Sequence, residues 1–278
     1  MFCDGNTRLT EAPGAGRFAA MPSTSIDLTT NDKPCHTQII TPEGAGPWPA
    51  VIVCFDAGGQ REPITEIGER LAKSGYLAVI PDLYHRAGDI WDVVAPNGEP
   101  HDMSSFHAMF GDPARRAEWM SRFYTPALDY KNLEDTIGAV LKHLEGRPDF
   151  RGGVGTTGYC MGGNASFRIA TIFGDRIAAT ATFHAGGLVT PAPDSPHTKA
   201  AAIKSKVYVA GAKEDGSFND EAKATLIEAL KAAHVDAEVE TYDAHHGFAV
   251  RDNPTFTEEA SERHYAAMNK LFGATLKK

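Results

Sequence analysis

The chain has 278 residues and a formal net charge of −9, with 23% charged and 42% hydrophobic residues. Its length suits one large α/β domain with a sizeable core better than two domains. Because the charge is negative and spread without long runs, a nucleic-acid partner or an anionic membrane partner is not expected. No apolar run approaches the roughly 20 residues that a membrane-spanning helix needs.

The amino-terminal segment differs from the rest of the chain. Residues 1–20 are polar, contain Gly and Pro, and lack the apolar stretch of a secretory signal. We therefore expect residues 1–25 to be a flexible leader, with Met21 as an alternative start. Residues 26–278 are predicted to form a single domain.

The four cysteines give no sign of a disulfide framework. They are Cys3, Cys35, Cys54 and Cys160. They form neither a C-x-x-C motif nor a paired pattern, which predicts reduced thiols and a cytoplasmic location. Cys54 lies within an apolar run, so we interpret it as a small core residue.

The first predicted elements are an edge hairpin and two buried strands. Residues 26–32 and 35–41 alternate in polarity around an Asn-Asp turn, which predicts an antiparallel hairpin. Residues 50–55 and 76–81 are continuous apolar runs, typical of strands buried on both faces. A helix is predicted between them at about residues 63–74.

A long insertion follows the second buried strand. Residues 87–125 are too many for an ordinary strand-to-helix loop, and they are rich in aromatic residues. Such connections often form a lid or a pocket wall. The alternative is helical packing against the edge of the sheet.

The stretch Gly158-Tyr159-Cys160-Met161-Gly162-Gly163 joins a β-branched run to a helical pattern of small residues. Read as G-x-C-x-G, it predicts a nucleophile elbow with cysteine where serine is commoner. Glycines two residues either side would let strand and helix approach closely. A helix N-terminus beside the sulfur would favour a thiolate and a developing oxyanion.

An acid and a histidine follow the elbow in the order expected of an α/β-hydrolase. Asp215 comes after an apolar strand pattern at residues 207–211, and His246 follows an alternating strand pattern at residues 237–242. Parallel sheets bind ligands at the carboxyl ends of their strands. Together with Cys160, the two residues predict a catalytic triad, although each alone could be an ordinary loop residue.

The remaining patterns complete a βα alternation. They are a helix at about residues 133–144, a strand at 177–183 leading into His184, and helices at about 219–233 and 255–272. We therefore predict an α/β fold of the α/β-hydrolase type. Its sheet should be mostly parallel, with helices on both faces and a lid-like insertion.

Three motifs together resemble the dienelactone hydrolase family. They are Gly-Tyr-Cys-Met-Gly-Gly, Pro-Asp-Leu-Tyr-x-Arg at residues 81–86, and His-Gly-Phe at residues 246–248. The resemblance covers nearly all of residues 26–273. It implies a hydrolase of lactones such as carboxymethylenebutenolides, or of small esters. By position it implies Cys160 as nucleophile, His246 as base and Asp215 as the orienting acid. It also suggests a monomer or weak dimer.

The sequence departs from the family pattern in two respects. Asp56 stands where the family has a glutamate that controls the charge state of the cysteine. Of the two arginines that hold the substrate carboxylate in the family, Arg86 fits the first. The second is displaced by one residue to Arg251, with Val250 at the expected position. We expect hydrolase chemistry to survive these changes better than the substrate does.

The predicted mechanism is acyl transfer to a thiolate followed by hydrolysis. The oxyanion hole should comprise the backbone N–H groups of Met161 and Ala57. We hypothesise that Asp56 pairs with the thiol proton or a substrate group, with loop capping as the alternative. Tyr84 and His184 are predicted to lie at the pocket, where a packing role is the alternative.

No metal or other cofactor is predicted, because His245 and His246 have no partner at ligand spacing. Three other functions stay open. A class I glutamine amidotransferase would carry His-x-Glu near its carboxyl end. A redox protein of the flavodoxin-like type would require a resolving cysteine. A hydrolase-fold protein could also bind or sense a small acid without turnover.

Overall fold

The computed structural model describes residues 21–277, which form an eight-stranded sheet packed with helices. The strands are β1 Ser23–Leu28, β2 Cys35–Ile40, β3 Trp48–Cys54, β4 Leu77–Pro81, β5 Phe150–Tyr159, β6 Ala179–Phe183, β7 Lys206–Ala212 and β8 Ala237–Tyr242. Their spatial order is β1-β2-β4-β3-β5-β6-β7-β8. Strand β2 is antiparallel to both of its neighbours, and the remaining pairs are parallel. The predicted mostly parallel sheet is confirmed.

The helices connect successive strands or follow the last one. The α-helices within the described range are α1 Glu62–Lys73, α2 Trp91–Val94, α3 Met103–Met109, α4 Pro113–Trp119, α5 Thr125–Leu128, α6 Tyr130–Glu145, α7 Met161–Phe173, α8 Asp220–Ala232 and α9 Glu258–Thr275. Helix α6 begins at the side chain of Asp129, which accepts hydrogen bonds from the backbone N–H groups of Lys131 and Asn132. Its apolar residues recur at helical spacing and are buried.

The predicted edge hairpin is present, but its first strand begins earlier than expected. Ser23 pairs with Ile40, and Met21 is buried, so the ordered pairing reaches into the segment predicted as leader. The predicted boundary at residue 25 is therefore too late, because backbone pairing with β2 extends to Ser23. Residues 1–20, which hold most of the predicted leader, lie outside the described residues.

The centre of the sheet explains the two continuous apolar runs. Strand β3 lies between β4 and β5, and its residues 50–54 have no exposed surface. A strand covered on both faces cannot alternate in polarity, since every side chain meets the core. Cys54 is one of these residues, and its burial raises the pKa of the thiol to about 12. The interpretation of Cys54 as a core residue is confirmed.

The predicted insertion consists of the short helices α2 to α5 with a π-helical turn at Met120–Tyr124. Its aromatic rings pack on one another, with Phe106 5.3 Å from Phe110 and 5.5 Å from Trp119 between ring centroids. Phe123 packs edge-on against Tyr84, which follows β4. The insertion therefore has its own apolar contacts and also joins the main core.

Candidate active site

Cys160 occupies the turn between β5 and α7. Its backbone has φ of 53° and ψ of −117°, which places a non-glycine residue in a region that L-amino acids rarely adopt. Nucleophile elbows hold their reactive residue in this kind of strained turn. The side chain is partly exposed and lines a cavity of about 200 Å³.

The glycines flanking Cys160 are required by the close approach of strand and helix. A Cβ atom on Gly158 would lie 1.9 Å from the carbonyl oxygen of Gly162. A Cβ atom on Gly162 would lie 2.2 Å from the carbonyl oxygen of Cys54, at the end of β3. Since no side chain can occupy that space, both positions need glycine. The physical reason for the sequence motif is therefore visible in the packing.

His246 and Asp215 form a hydrogen-bonded pair beside Cys160. His246 Nδ1 lies 2.7 Å from Asp215 Oδ2. The other carboxylate oxygen of Asp215 accepts hydrogen bonds from the backbone N–H and hydroxyl of Ser217, at 2.9 and 2.6 Å. Asp215 is only 8% exposed, so it is not a solvated turn residue. Burial alone would raise its pKa, but the hydrogen bonds from His246 and Ser217 lower it to about 2.

The charge state of His246 is set by its two partners. Burial alone would lower its pKa, but hydrogen bonds with Asp215 and with the Cys160 sulfur, and the charges of both groups, raise it to about 10. At neutral pH this ring is therefore an imidazolium held between a carboxylate and a sulfur. Such a ring can stabilise a thiolate and can donate a proton to a leaving group.

The cavity combines the catalytic candidates with an apolar wall from α3. It is lined by Asp56, Ala57, Gly58, Met103, Phe106, His107, Phe110, Cys160, His184, His246, Gly247 and Asn253. The loops after β3, β5, β6 and β8 all contribute to it, as expected at the carboxyl edge of a parallel sheet. The insertion supplies the opposite wall, which agrees with its predicted role as a pocket wall.

Tyr84 lies behind the loop that follows β3 instead of in the cavity. Its hydroxyl donates to the carbonyl of Ala57 at 3.0 Å and lies 3.3 Å from Met161 Sδ. The ring is buried and packs edge-on against Phe55. Tyr84 thus contacts both residues predicted to form the oxyanion hole. The structure supports the packing alternative for Tyr84 and not its prediction as a substrate-binding residue.

Asp56 lines the cavity, but its carboxylate is already engaged. Arg61 donates two hydrogen bonds to it, at 2.6 and 2.9 Å, and Asn253 Nδ2 lies 3.2 Å away. The backbone N–H of Gly58 also donates to it, at 3.0 Å. Burial alone would raise the pKa of Asp56, but the charge and hydrogen bonds of Arg61 hold it below its usual range. The geometry therefore supports loop capping and an ion pair, not pairing with the thiol.

His184 supports the elbow through its ring. It has a positive φ of 40°, and its Nδ1 accepts a hydrogen bond from the backbone N–H of Cys160 at 3.1 Å. Burial, followed by the proximity of His246, lowers the pKa of His184 well below its usual range. The ring is therefore neutral and carries its proton on Nε2.

The two arginines predicted to hold a substrate carboxylate lie away from the cavity. Arg86 pairs with Asp32 at 2.8 Å and with Asp135 at 2.5 Å. Arg251 makes a two-pronged ion pair with Glu66 on the surface. Neither lines the cavity. These predictions are corrected, because carboxylates of the chain itself occupy both guanidinium groups.

Sequence reasoning missed several residues that shape the site. Arg61 and Asn253 hold Asp56, and Ser217 holds the second oxygen of Asp215. A signal for Arg61 was present, since a buried acid at the end of an apolar strand needs a cation nearby. Within residues 21–277, no group of three or more His, Cys, Asp or Glu side chains is arranged to hold a metal ion.

With this geometry established, comparisons with known proteins identify the family. The sequence model of the dienelactone hydrolase family matches residues 35–276. The chain belongs to the dienelactone hydrolase family. It is therefore a hydrolase of the carboxylic ester or lactone type, which confirms the resemblance of the motifs.

Individual relatives are distant but cover most of the chain. A carboxymethylenebutenolidase of Pseudomonas sp. (strain P51) is 27% identical over 90% of this chain and 87% of its own length. A protein of Escherichia coli (strain K12) assigned as a carboxymethylenebutenolidase is 28% identical over 82% of this chain and 77% of its own length. A crystal structure of a protein from Klebsiella pneumoniae, assigned as a dienelactone hydrolase, has a TM-score of 0.71 and 22% sequence identity. The match covers 91% of this chain and 98% of that one. That likeness confirms the α/β-hydrolase fold.

Membrane insertion depends on the length and the polarity of the helices. Among those between residues 21 and 277, none combines the length and the apolar character that crossing a bilayer requires.

Proposed function

We propose that this member of the dienelactone hydrolase family cleaves small carboxylic esters or lactones through a Cys160–His246–Asp215 triad. The observation that carries the proposal is the hydrogen bond between His246 and Asp215, with His246 and Cys160 lining the same cavity. A thioester acyl-enzyme would be the intermediate. The imidazolium form of His246 supports this mechanism, because a protonated ring next to the sulfur stabilises a thiolate.

The reaction proceeds in two balanced halves. The Cys160 thiolate attacks the carbonyl carbon, and the bond to the alcohol oxygen breaks as His246 donates its proton to that oxygen. The ring, now neutral, takes a proton from water as the water oxygen attacks the thioester. The carbon–sulfur bond then breaks, which releases the acid and restores the thiolate and imidazolium. Asp215 keeps the ring in the required orientation throughout.

The backbone N–H groups of Met161 and Ala57 are proposed to bind the oxyanion. Met161 begins helix α7, so its N–H has no acceptor within the helix. The hydroxyl of Tyr84 supports this role, because it contacts both residues and braces them against the core. Each oxyanion donor contributes roughly 3 kcal/mol to transition-state stabilisation in known enzymes.

The setting of the reaction is also proposed. Free thiols at Cys35, Cys54 and Cys160 are compatible with a reducing compartment, and we propose a cytoplasmic location. The edge strand β8 carries Glu238 and Glu240, which discourage pairing of edges between copies. We therefore retain the proposal of a monomer or weak dimer acting on a small diffusible substrate.

Trapping the acyl-enzyme tests the proposal. The protein is mixed with 4-nitrophenyl acetate, quenched in acid during turnover, and digested for peptide mass mapping. We expect an acetyl group on the peptide that contains Cys160, sensitive to hydroxylamine as thioesters are. A burst of nitrophenol with the acetyl group on another residue would contradict the proposed nucleophile.

A further inference from the structure

We infer that the active-site cavity selects uncharged acyl groups and disfavours substrates that carry a carboxylate. This inference rests on the proposed function, because it concerns the substrate of the same site. It departs from the carboxylate-bearing lactone that the resemblance implied.

The wall of the cavity around Asp56 is negatively charged. Arg61 bridges two carboxylates, those of Asp56 and Asp252, with four N–O distances between 2.6 and 2.9 Å. The three side chains together carry a net charge of −1, since one cation faces two anions. The Asp56 carboxylate is the member of this cluster that lines the cavity. A substrate carboxylate would therefore approach a negative wall.

The catalytic groups add negative charge to the same cavity. The protonated ring of His246 is offset by Asp215, so a reactive Cys160 thiolate leaves the triad with a net charge of −1. Charges within a few ångströms interact strongly when they are partly shielded from water. A second anion in this small cavity would be repelled by the thiolate and by the net charge of −1 on the Asp56–Arg61–Asp252 cluster.

The cationic side chains near the site are already paired with carboxylates of the chain. Of the described residues that line the cavity, none is a lysine or arginine. Arg86 and Arg251 form ion pairs with carboxylates of the chain away from it. His184 is neutral, and His107 lies exposed at the rim. The His246 imidazolium is already paired with Asp215, and no lysine or arginine among the described lining residues is available to neutralise a bound carboxylate.

The opposite wall of the cavity is apolar and leaves little space. Helix α3 and the residue after it present Met103, Phe106 and Phe110 to the cavity. At about 200 Å³ the cavity is smaller than typical ligand pockets. An apolar surface favours a short aliphatic or aromatic acyl group, since burying a charge against it is costly.

Alkylation of Cys160 measures this electrostatic preference without needing turnover. Iodoacetamide and iodoacetate have nearly the same shape, and both form a carbon–sulfur bond with release of iodide. Their rates at Cys160 are followed by peptide mass mapping and divided by the rates with free glutathione. We expect the neutral reagent to react at least about tenfold faster after this normalisation. Equal rates, or faster reaction of iodoacetate, would overturn the inference.

A charge-insertion pair shows whether the cavity wall sets this preference. Phe110 and Met120 are equally exposed at 37%, but only Phe110 lines the cavity. Phe110→Arg should reduce the ratio of neutral to anionic reagent by at least about threefold, because it adds a cation at the wall. Met120→Arg adds the same charge elsewhere and should leave the ratio unchanged. An equal change of the ratio in both variants would mean that the ratio responds to the net charge of the protein and not to charge at the cavity wall.

A matched ester pair connects the result to catalysis and separates the two proposals. The 4-nitrophenyl monoester of succinic acid carries a carboxylate, and the 4-nitrophenyl ester of 4-oxopentanoic acid has the same length without charge. We expect a kcat/KM at least about tenfold higher for the neutral ester after correction for hydroxide-catalysed rates. Preference for the charged ester with dependence on Cys160 would defeat this inference alone. Turnover that survives in Cys160→Ala would instead defeat the proposed function.

Discussion

His246 Nδ1 lies 2.7 Å from Asp215 Oδ2, although 31 positions separate the two residues in the chain. Strands β7 and β8 are parallel neighbours, so the loops that follow them emerge side by side. Thr255 further fixes the histidine loop, because its hydroxyl donates to the carbonyl of His246. The acid and the base are thus aligned by sheet topology, while Cys160 is aligned by the elbow after β5.

Replacing Asp215 by Asn should remove the charge that holds His246 as an imidazolium. We expect kcat to fall by about 10³- to 10⁴-fold, as seen when a triad acid is replaced by its amide. The measurement is steady-state hydrolysis of 4-nitrophenyl acetate. Ser217→Ala, which removes one hydrogen bond from the same carboxylate, should lower kcat far less. An Asp215→Asn variant with wild-type kcat would contradict the role of the acid.

The raised pKa of His246 predicts an alkaline limit to activity. Because we propose that the imidazolium donates the proton to the leaving alcohol, kcat/KM should decline as pH rises through about 10. An alkoxide leaving group, as in an ethyl ester, makes this proton transfer necessary. In Asp215→Asn the alkaline limb should move to lower pH. If the alkaline limb stays at the same pH in Asp215→Asn, Asp215 does not raise the pKa of the group that limits activity.

The same pair predicts how stability depends on pH. The folded pKa of His246, about 10, exceeds its ordinary value of 6.5, so its contribution is complete below about pH 6.5 and is lost as pH rises through 10. Asp215 has a lowered pKa of about 2, so its contribution is present above about pH 4 and is lost as pH falls through 2. Thermal unfolding of wild type and His246→Gln across this range tests both signs. The higher thermal stability of the wild type relative to His246→Gln should be lost at high pH.

Gly162 and Gly138 provide a matched test of the elbow packing. A Cβ on Gly162 would lie 2.2 Å from the carbonyl oxygen of Cys54, whereas a Cβ on Gly138, within helix α6, meets nothing within 4 Å. Gly162→Ala should therefore destabilise the fold by about 3 kcal/mol or more and abolish hydrolysis. Gly138→Ala should stabilise it by about 1 kcal/mol through its higher helix propensity. Urea unfolding measures both, and equal effects would refute the packing argument.

Arg61 and Arg251 offer a second matched pair. The Arg61 side chain is 13% exposed between Asp56 and Asp252, whereas that of Arg251 is 56% exposed beside Glu66. Arg61→Ala leaves Asp56 buried without its cation and should cost about 3 to 5 kcal/mol of unfolding free energy. Arg251→Ala should cost less than about 1 kcal/mol. If the two losses in urea unfolding are similar, Arg61 does not neutralise a buried acid.

Much of this fold and site could be predicted because the deciding signals are local. Continuous apolar runs indicated β3 and β4, and alternation gave β8 the bounds that the structure shows. Gly158 could be inferred because the clash it avoids, with the carbonyl of Gly162, lies within the turn, whereas Gly162 avoids the carbonyl of Cys54 on a different strand. The order of Cys160, Asp215 and His246 was informative because every parallel strand ends at the same edge of the sheet.

The failed predictions concern side chains whose partners lie far away in sequence. Arg86 was expected at the substrate, but Asp32 and Asp135 lie 54 and 49 positions from it and occupy its guanidinium. Asn253 reaches Asp56 from 197 positions away. No periodicity encodes such contacts, because they depend on how loops from different strands meet. The sequence therefore indicated the chemistry of the site better than its specificity.

The most direct test of this account compares three cysteine variants in hydrolysis of 4-nitrophenyl acetate. Cys160→Ala removes the proposed nucleophile, Cys160→Ser replaces it by a hydroxyl, and Cys35→Ala removes a buried thiol in β2. With folding checked by thermal unfolding, we predict that Cys160→Ala loses at least about 10³-fold in kcat. Cys35→Ala should keep near wild-type kcat. Full activity in Cys160→Ala would contradict the central claim that this sulfur attacks the substrate.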